Sequence, residues 1–383
     1  NLIMHLYKSI NIIDSGKAIL LKTADGKSLR FHSTWLRDNA QDLDTRDIKN
    51  GQRLITLSDI PVNISIELAS LKENGKKISL TFIPEKKTIT FSSKWLETYA
   101  YDYSRDYKKG WTDPNLKIWN KDILKNIPIE NFNNVSKNNS SLLKWLKLLN
   151  IYGFAKLTGC KKESGSILRV AELFGYVRET NYGKFFDVKS NIDAINLAYT
   201  NRGLSPHTDN PYRDPVPSIQ ILFCLENSTQ GGRSIVVDGF FAAMELKKKN
   251  PKYFELLTKY NVNFEFKGDK NAYLQSSHPL IEISTSGEIK SIRFNNRSAA
   301  PITDVPYDDM DNYYKAYREF SNIINDPELA LEFRLNPGEC FILDNTRVLH
   351  ARTSFEGGGT RWLQGCYVDK DGLLSKISTM SAL

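Results

Sequence analysis

Short runs of alternating apolar and polar residues dominate the first hundred positions of the chain. Such runs lie at residues 19–22, 29–31, 64–68, 78–82 and 88–91. The dipeptides Asp25-Gly26 and Asn74-Gly75 stand between neighbouring runs. Alternation with period two, interrupted by Asp-Gly or Asn-Gly, is typical of antiparallel strands joined by hairpins. The pattern predicts a small, strand-rich N-terminal domain over residues 1–105, and it shows no internal repeat.

The chain becomes polar and irregular over residues 106–139, where Pro114 and Pro128 favour a linker or interdomain wrap. Helical apolar spacing follows at residues 142–149, and two further helices are predicted at 240–249 and 251–260. Predicted strands lie at residues 152–157, 219–225, 234–238, 281–283, 289–294, 340–343 and 362–368. Residues 140–383 are therefore predicted to be mainly β with inserted helices, a double-stranded β-helix or jelly roll.

Composition restricts the classes of function without defining one. An apolar fraction of 40% with 19 Phe, 18 Tyr and 6 Trp predicts a folded globular protein. The net charge of +8 is spread along the chain, which argues against nucleic-acid binding. The four cysteines form no Cys-X-X-Cys pair, and no apolar run approaches the roughly 20 residues of a membrane helix. We therefore expect a cytoplasmic protein that acts on small molecules, with no nucleic-acid or membrane partner.

Two histidines and an aspartate form the motif with the most chemical information. His207 and Asp209 stand two residues apart, and His350 lies far downstream. Strand side chains at i and i+2 share a face, so this imidazole and carboxylate can reach one metal ion. A distal histidine completes the ligand set of oxygen-activating iron(II) enzymes, which leaves positions open for a co-substrate and dioxygen. A His-X-Asp motif also occurs by chance, and a zinc hydrolase with these ligands is an alternative.

Arg361 follows His350 by eleven residues and directly precedes the predicted strand at 362–368, in the run Thr360-Arg361-Trp362-Leu363. A guanidinium group at this place can bind a carboxylate through two hydrogen bonds, as the far carboxylate of 2-oxoglutarate would require. The alternative is an ordinary surface arginine. The neighbouring strand residues argue against that alternative, because a buried arginine needs an anionic partner.

Several motifs in one order resemble the gamma-butyrobetaine and trimethyllysine dioxygenase branch of the taurine-dioxygenase-like 2-oxoglutarate oxygenases. They lie at residues 31–39 (FHSTWLRDN), 196–200 (NLAYT), 206–209 (PHTD), 231–240, 294–296 (FNN), 336–338 (NPG) and 343–350. The resemblance implies a jelly-roll dioxygenase with iron(II) bound by His207, Asp209 and His350. It further implies that Arg361 binds 2-oxoglutarate, that dioxygen is consumed, that ascorbate stimulates turnover and that the protein is a homodimer.

The resemblance also implies a substrate site for a trimethylammonium zwitterion. Matching positions of an aromatic cage are Tyr182, Phe186, Tyr199 and Tyr367. Matching positions for the anionic end of the substrate are Asn196, Asn210, Asn295 and Arg297. The chain departs from the vertebrate butyrobetaine enzymes at three of these: Phe186 replaces a tryptophan, Asn210 a tyrosine and Arg297 an alanine.

The implied reaction is hydroxylation of gamma-butyrobetaine to carnitine. The added amide and guanidinium donors suit a phosphonate as well as a carboxylate, so 2-trimethylaminoethylphosphonate is the alternative substrate. Trimethyllysine and a non-catalytic protein that binds quaternary amines are further alternatives. Many relatives carry a zinc cluster in the N-terminal domain, but Ala40, Asp42 and Thr45 stand at its cysteine positions. We therefore expect no structural zinc.

Overall fold

A computed structural model describes residues 6–102, 113–189, 202–356 and 359–382. The chain forms two compact units, Asn1–Asp106 and Tyr107–Leu383. Residues 113–139 belong to the second unit, and the part of the chain that was interpreted as a linker contains a short strand and a helix of that unit. The domain boundaries inferred from the sequence stay a prediction.

The N-terminal unit contains two three-stranded antiparallel sheets, each followed by a short helix. The first half comprises β1 (Tyr7–Ile13), β2 (Ala18–Thr23), β3 (Ser28–His32) and α1 (Ser33–Asp38). The second half comprises β4 (Ser65–Lys72), β5 (Lys77–Ile83), β6 (Lys87–Ser92) and α2 (Ser93–Thr98). Inward side chains of both sheets share one apolar core, in agreement with the predicted strand-rich unit.

The two halves of this unit are similar, a repeat that the sequence interpretation missed. Each half has a tight turn between its first two strands with a glycine at positive φ, 88° for Gly16 and 85° for Gly75. Each closing helix carries a tryptophan, and the ring centroids of Trp35 and Trp95 lie 5.6 Å apart. A Cβ atom at Gly75 would lie 2.1 Å from the carbonyl oxygen of Tyr7, so the close approach of the two halves requires glycine there.

Charged and polar side chains occupy the segment to which the resemblance assigns zinc ligands. Arg37 donates from Nε to Glu85 at 2.6 Å and from Nη1 to the hydroxyl of Thr45 at 3.0 Å. The Lys87 ammonium lies 2.7 Å from the carboxylate of Asp42. These contacts connect the segment with the turn between β5 and β6. The absence of structural zinc from this domain stays a prediction.

The C-terminal unit is built around two main sheets. Their strands are β7 (Ile129–Asn131), β8 (Phe154–Thr158), β9 (Phe186–Lys189), β10 (Leu204–His207), β11 (Ile219–Asn227), β13 (Ser234–Asp238), β18 (Leu331–Phe333), β19 (Cys340–Asp344), β20 (Val348–Arg352) and β22 (Arg361–Val368). The larger sheet has the order β7-β8-β19-β11-β22-β9, and the smaller has the order β10-β20-β13-β18. Apart from the parallel pair β7 and β8, neighbours are antiparallel.

Three two-stranded ribbons complete the strands of the described residues. They are β12 (Gln230–Gly231) with β21 (Phe355–Glu356), β14 (Val262–Asp269) with β15 (Ala272–His278), and β16 (Ile281–Ile283) with β17 (Ile289–Ile292). The helices are α3 (Phe132–Lys137), α4 (Asn139–Tyr152), α5 (Ser166–Ala171), α6 (Gly239–Lys249), α7 (Pro251–Lys259), α8 (Tyr307–Ile324) and α9 (Lys370–Ser381). The α8 helix and the β14–β15 hairpin were not predicted.

The two main sheets enclose an apolar core to which both contribute side chains, including Phe154 and Leu343 from the larger sheet and Val236 and Val348 from the smaller. The outer face of the larger sheet packs against α4, α5 and α9. The smaller sheet packs against α6, α7 and α8. This layered arrangement confirms the predicted fold class, mainly β with inserted helices. Over the described residues, no helix has the length and apolarity needed to cross a membrane.

Candidate active site

A cavity of about 550 Å³ opens between the two main sheets. Strand alternation decides which side chains reach it. On β11, the residues at odd positions, such as Ile219 and Ile221, pack outward against helices, whereas Gln220 and Leu222 line the cavity. On β22, Arg361 and Tyr367 line it from the same inward face. The inner faces of two sheets therefore supply the site.

The predicted metal ligands meet at this cavity. His207 and His350 are cross-strand partners on β10 and β20, so their imidazoles lie side by side. Asp209 follows β10 by two residues, and its Oδ1 atom lies 3.3 Å from His207 Nε2 and 3.6 Å from His350 Nε2. The three candidate ligand atoms lie within 4.8 Å of one another, and theirs is the one such group found among the described residues.

The protonation states of these groups suit a divalent cation. Burial, followed by the neighbouring His207, lowers the pKa of His350 to about 3, so its imidazole is neutral at physiological pH. Burial alone would raise the pKa of the Asp209 carboxyl. His350, His207 and Arg297 outweigh that effect and hold this pKa well below its usual range. Two imidazoles and one carboxylate on one side of an open cavity match the iron(II) donor set.

Hydrogen bonds fix the orientation of the ligands. His207 Nδ1 contacts the carbonyl oxygen of Ser205 at 2.7 Å, which leaves Nε2 directed to the metal position. The side chain of Asn345 accepts from the backbone N–H of Asp209 at 2.7 Å and donates to its carbonyl oxygen at 2.9 Å. Asn345 thereby holds the backbone that carries the aspartate, a role that the sequence interpretation did not assign.

Arg361 is a buried cation that lines the same cavity. Its side chain is 7% exposed, its Nε is shielded from solvent without a hydrogen-bond partner, and its guanidinium makes no ion pair with a described residue. Burial lowers the pKa of Arg361 to about 10, so the group remains charged at neutral pH. Gly232 allows its close packing, since a Cβ there would lie 3.2 Å from Arg361 Nε. An anionic co-substrate such as 2-oxoglutarate would satisfy this charge.

Replacement of Arg361 by methionine should weaken 2-oxoglutarate binding by a factor of about 30 or more. The loss of one partner from a buried charge pair costs roughly 2–5 kcal/mol, and each 1.4 kcal/mol is about tenfold. Calorimetric titration of 2-oxoglutarate into Mn(II)-loaded protein measures the change. Arg169→Met is the matched control, because that arginine is exposed and pairs with Glu163. Equal affinities of the Arg361 variant and the wild type would exclude this role.

Three of the predicted cage residues form a contiguous aromatic wall. The ring centroids of Tyr182 and Phe186 lie 5.7 Å apart, and those of Phe186 and Tyr367 lie 5.5 Å apart. A Cβ at Gly365 would lie 2.5 Å from ring atoms of Phe186, so this glycine makes room for the ring. Phe266 extends the wall at 6.0 Å from Tyr182. The sequence interpretation missed Phe266 because it lies on the unpredicted β14–β15 hairpin.

The predicted anion-binding residues that fall within the described part of the chain also line the cavity. Asn210 is 6% exposed, and its Nδ2 has no hydrogen-bond partner. Asn295 donates to the carbonyl oxygen of Thr208 at 2.9 Å and accepts from the backbone N–H of Arg297 at 3.0 Å. Asn296, beside this pair, lines the cavity too. Asn196, the fourth residue predicted for the anionic end, and Tyr199, the fourth predicted cage residue, lie outside the described residues.

The sequence matches the family model of the "Taurine catabolism dioxygenase TauD, TfdA family" over residues 120–367. The matched range includes the three metal-ligand candidates and Arg361. The chain belongs to this family of dioxygenases. The predicted class, a jelly-roll dioxygenase that depends on iron(II) and 2-oxoglutarate, is thereby confirmed.

Relatives of known function identify the branch of the family. The gamma-butyrobetaine dioxygenase of Pseudomonas sp. (strain AK-1) is 33% identical over 355 residues, 92% of this chain and 91% of the relative. The corresponding enzyme of Homo sapiens is 31% identical over 371 residues, 95% of each chain. The mitochondrial trimethyllysine dioxygenase of Gallus gallus is 30% identical over 366 residues, 94% of this chain and 85% of the relative. These similarities confirm the resemblance inferred from the motifs.

Proposed function

We propose that this dioxygenase hydroxylates a small trimethylammonium compound, with gamma-butyrobetaine as substrate and carnitine as product. One observation carries the proposal: Tyr182, Phe186 and Tyr367 line the same cavity as the metal-ligand group. A quaternary ammonium group offers no hydrogen-bond donor, so attraction to aromatic faces is its main specific means of recognition. Similarity to gamma-butyrobetaine dioxygenases supports this substrate class.

One set of residues binds the metal and 2-oxoglutarate, and another set positions the substrate so that one carbon reacts. His207, Asp209 and His350 would hold iron(II), which with 2-oxoglutarate and dioxygen supplies the oxidation of a C–H bond to C–OH, with succinate and carbon dioxide as co-products. Arg361 binds the far carboxylate of 2-oxoglutarate. The cage binds the trimethylammonium group, and the carbon that is hydroxylated in gamma-butyrobetaine lies two bonds from the nitrogen. The distance between cage and metal ligands then selects this carbon.

The polar end of the cavity suits an anion. Asn210 lies directly after the ligand Asp209, at a φ of 51° that asparagine tolerates better than most residues. Its side-chain oxygen Oδ1 accepts from the hydroxyl of Tyr212 at 2.5 Å, so the unpartnered Nδ2 is the group left for a ligand. Arg297 lines the cavity close by. These donors would bind the carboxylate of gamma-butyrobetaine.

The charge of the cavity also favours a second candidate, 2-trimethylaminoethylphosphonate. Basic side chains outnumber acidic ones among the described residues that line it. The basic residues are Lys267, Arg297, Arg352 and Arg361, and the acidic residues are Asp209 and Glu265. A phosphonate carries more negative charge than a carboxylate. Its reactive carbon also lies two bonds from the quaternary nitrogen, so the same distance between cage and metal ligands serves both substrates.

Other functions fit the site less well. In trimethyllysine the anionic end lies farther from the quaternary nitrogen than in the two smaller compounds. A non-catalytic binding protein would not require the metal-ligand group together with an unpaired, buried Arg361. A zinc hydrolase would leave the aromatic wall and Arg361 without a role.

Incubation with each candidate substrate tests the proposal. We expect purified protein with iron(II), 2-oxoglutarate and ascorbate to add one oxygen atom to gamma-butyrobetaine, detected by mass spectrometry, with one succinate formed per product. Parallel reactions contain 2-trimethylaminoethylphosphonate or trimethyllysine, and omission of 2-oxoglutarate is the control. A higher kcat/KM for the phosphonate than for gamma-butyrobetaine would make 2-trimethylaminoethylphosphonate the assigned substrate. Oxidation of none of the three compounds would contradict the proposed function.

Three further features belong to the same proposal. We propose a homodimer, stimulation of turnover by ascorbate and a cytoplasmic location. Four buried, unpaired cysteines agree with a reducing compartment.

A further inference from the structure

Tyr367 lies where the aromatic wall meets the metal-ligand group. Its ring contacts Phe186, which is the basis for its assignment to the cage. Its hydroxyl points elsewhere and donates to Asp209 Oδ2 at 2.8 Å. One side chain therefore touches both the predicted position of the substrate cation and a predicted metal ligand.

The carboxylate of Asp209 uses its two oxygens for different partners. Oδ1 faces the two imidazoles at 3.3 Å and 3.6 Å. Oδ2 faces away from them and accepts from Gln220 Nε2 at 2.7 Å, in addition to the bond from Tyr367. With both hydrogen bonds in place the carboxylate cannot rotate freely, so Oδ1 is the oxygen available to a metal.

Gln220 and Tyr367 form a pair that the fold itself sets. They are direct cross-strand partners on β11 and β22 and point to the same inward face. Gln220 is 1% exposed, and its other polar atom, Oε1, is buried without a hydrogen-bond partner. A buried polar side chain with one unsatisfied atom costs stability. Within the described part of the chain, the hydrogen bond to Asp209 is the polar contact that accounts for a glutamine in this apolar strand.

We propose that Tyr367 and Gln220 are positioning residues that hold Asp209 in its metal-binding orientation, and that Tyr367 links the substrate cage to the metal site. This inference rests on the proposed function for the cage, whereas the positioning of Asp209 does not depend on the substrate. A cation seated against the Tyr367 ring restrains the ring, and the hydroxyl at the end of that ring restrains Oδ2. The cage and the metal ligand are thus connected through one rigid side chain.

Substitutions can separate the ring of Tyr367 from its hydroxyl. Tyr367→Phe keeps the cage wall and removes the bond to Asp209, and Gln220→Leu removes the second bond from a different strand. Tyr260→Phe is the matched control, since it also removes a tyrosine hydroxyl that donates to an aspartate, here Asp309, and neither residue lines the cavity. Tyr367→Leu removes both ring and hydroxyl.

Metal binding by the full chain tests the positioning of Asp209, and substrate affinity tests the link to the cage. Mn(II) is titrated without substrate and followed by electron paramagnetic resonance, and absorption of the Co(II) form reports ligand geometry. We expect Tyr367→Phe and Gln220→Leu each to weaken Mn(II) binding roughly 10- to 100-fold and to alter the Co(II) spectrum. Tyr260→Phe should leave both the Mn(II) affinity and the Co(II) spectrum unchanged. In metal-saturated protein with 2-oxoglutarate, Tyr367→Phe should keep gamma-butyrobetaine affinity within about twofold, because the ring face carries the attraction.

The outcomes separate this inference from the proposed function. Unchanged Mn(II) affinity and Co(II) spectra in both Tyr367→Phe and Gln220→Leu would overturn the positioning role. Unchanged gamma-butyrobetaine affinity in Tyr367→Leu would overturn the link to the cage. A wild type that binds no trimethylammonium compound would contradict the proposed function. The Mn(II) titration, which contains no substrate, would still decide the positioning role.

Discussion

Asp209→Ala should reduce both metal binding and 2-oxoglutarate turnover to the background of the assay. The substitution removes the one anionic ligand from the group and leaves only two imidazoles to hold a divalent cation. In the wild type, Gln220 and Tyr367 donate to Asp209 Oδ2, so the substitution also leaves these two donors without an acceptor. Metal content after reconstitution with iron(II), together with succinate formation, measures the effect.

A histidine substitution outside the site is the control for this experiment. His32 lies in the N-terminal unit and contacts the hydroxyl of Tyr101 at 2.8 Å, so His32→Ala should retain metal and turnover. Circular dichroism establishes that both variants are folded. Succinate formation by Asp209→Ala at the wild-type rate would refute the assignment of the metal centre. His207→Ala and His350→Ala should behave as Asp209→Ala does.

The ligand group was predictable because it follows from a local rule. Side chains two positions apart on a strand share a face, and this rule brings His207 and Asp209 together without knowledge of the fold. His350 was inferred as the third ligand from the donor set of oxygen-activating iron(II) enzymes and then from the family resemblance, since nothing local connects it with a residue more than a hundred positions earlier. Arg361 was inferred from its spacing after His350 and from the same resemblance. Its inward direction follows from strand alternation, whereas its unpaired charge is evident only in the folded chain.

Other parts of the site carried signals that local patterns did not decide. Gln220 is a polar residue within the otherwise apolar run of β11, at a position that faces the cavity. This polar residue was the available sign of a function in the sequence. Phe266 lies in a stretch where alternation exists but several Lys, Asp and Gln residues obscure it. The contact between Phe266 and the cage depends on where the hairpin packs, which is a tertiary property.

Two larger features were missed. The α8 helix buries Tyr313, Ala316, Phe320, Ile323 and Ile324 at helical spacing, but the charged and polar residues between them hid this apolar stripe in the sequence. The repeat in the N-terminal unit aligns Phe31, Ser33, Trp35-Leu36 and Ala40 with Phe91, Ser93, Trp95-Leu96 and Ala100 at a constant offset of 60, so it was present in the sequence and was overlooked. The turn glycines are 59 positions apart, because the second half has one more residue between the turn and the closing helix.

Removal of one partner from a buried ion pair of the C-terminal unit should strongly destabilise that unit. The side chains of Arg347 and Asp238 are 1% and 0% exposed, with Nη2 and Oδ2 at 2.9 Å. Arg347 also donates to the carbonyl oxygens of Ile151 and Lys117, and Asp238 accepts from the backbone N–H of Trp119. The pair therefore joins β13, the start of β20 and the segment before α3. Removal of one charge leaves the other buried without its partner.

Arg347→Met should lower the free energy of unfolding by about 3–5 kcal/mol, measured by urea denaturation followed by circular dichroism. The Arg347→Met, Asp238→Asn double variant should lose less than the sum of the two single variants, because no unpaired charge remains. Arg233→Met is the control: its partner Glu332 is half exposed, and such a pair contributes at most about 1 kcal/mol. A loss for Arg347→Met as small as that of the control would show that water reaches the pair. Strand pairing within the sheet would then be sufficient to hold β20, the strand that carries His350, in position.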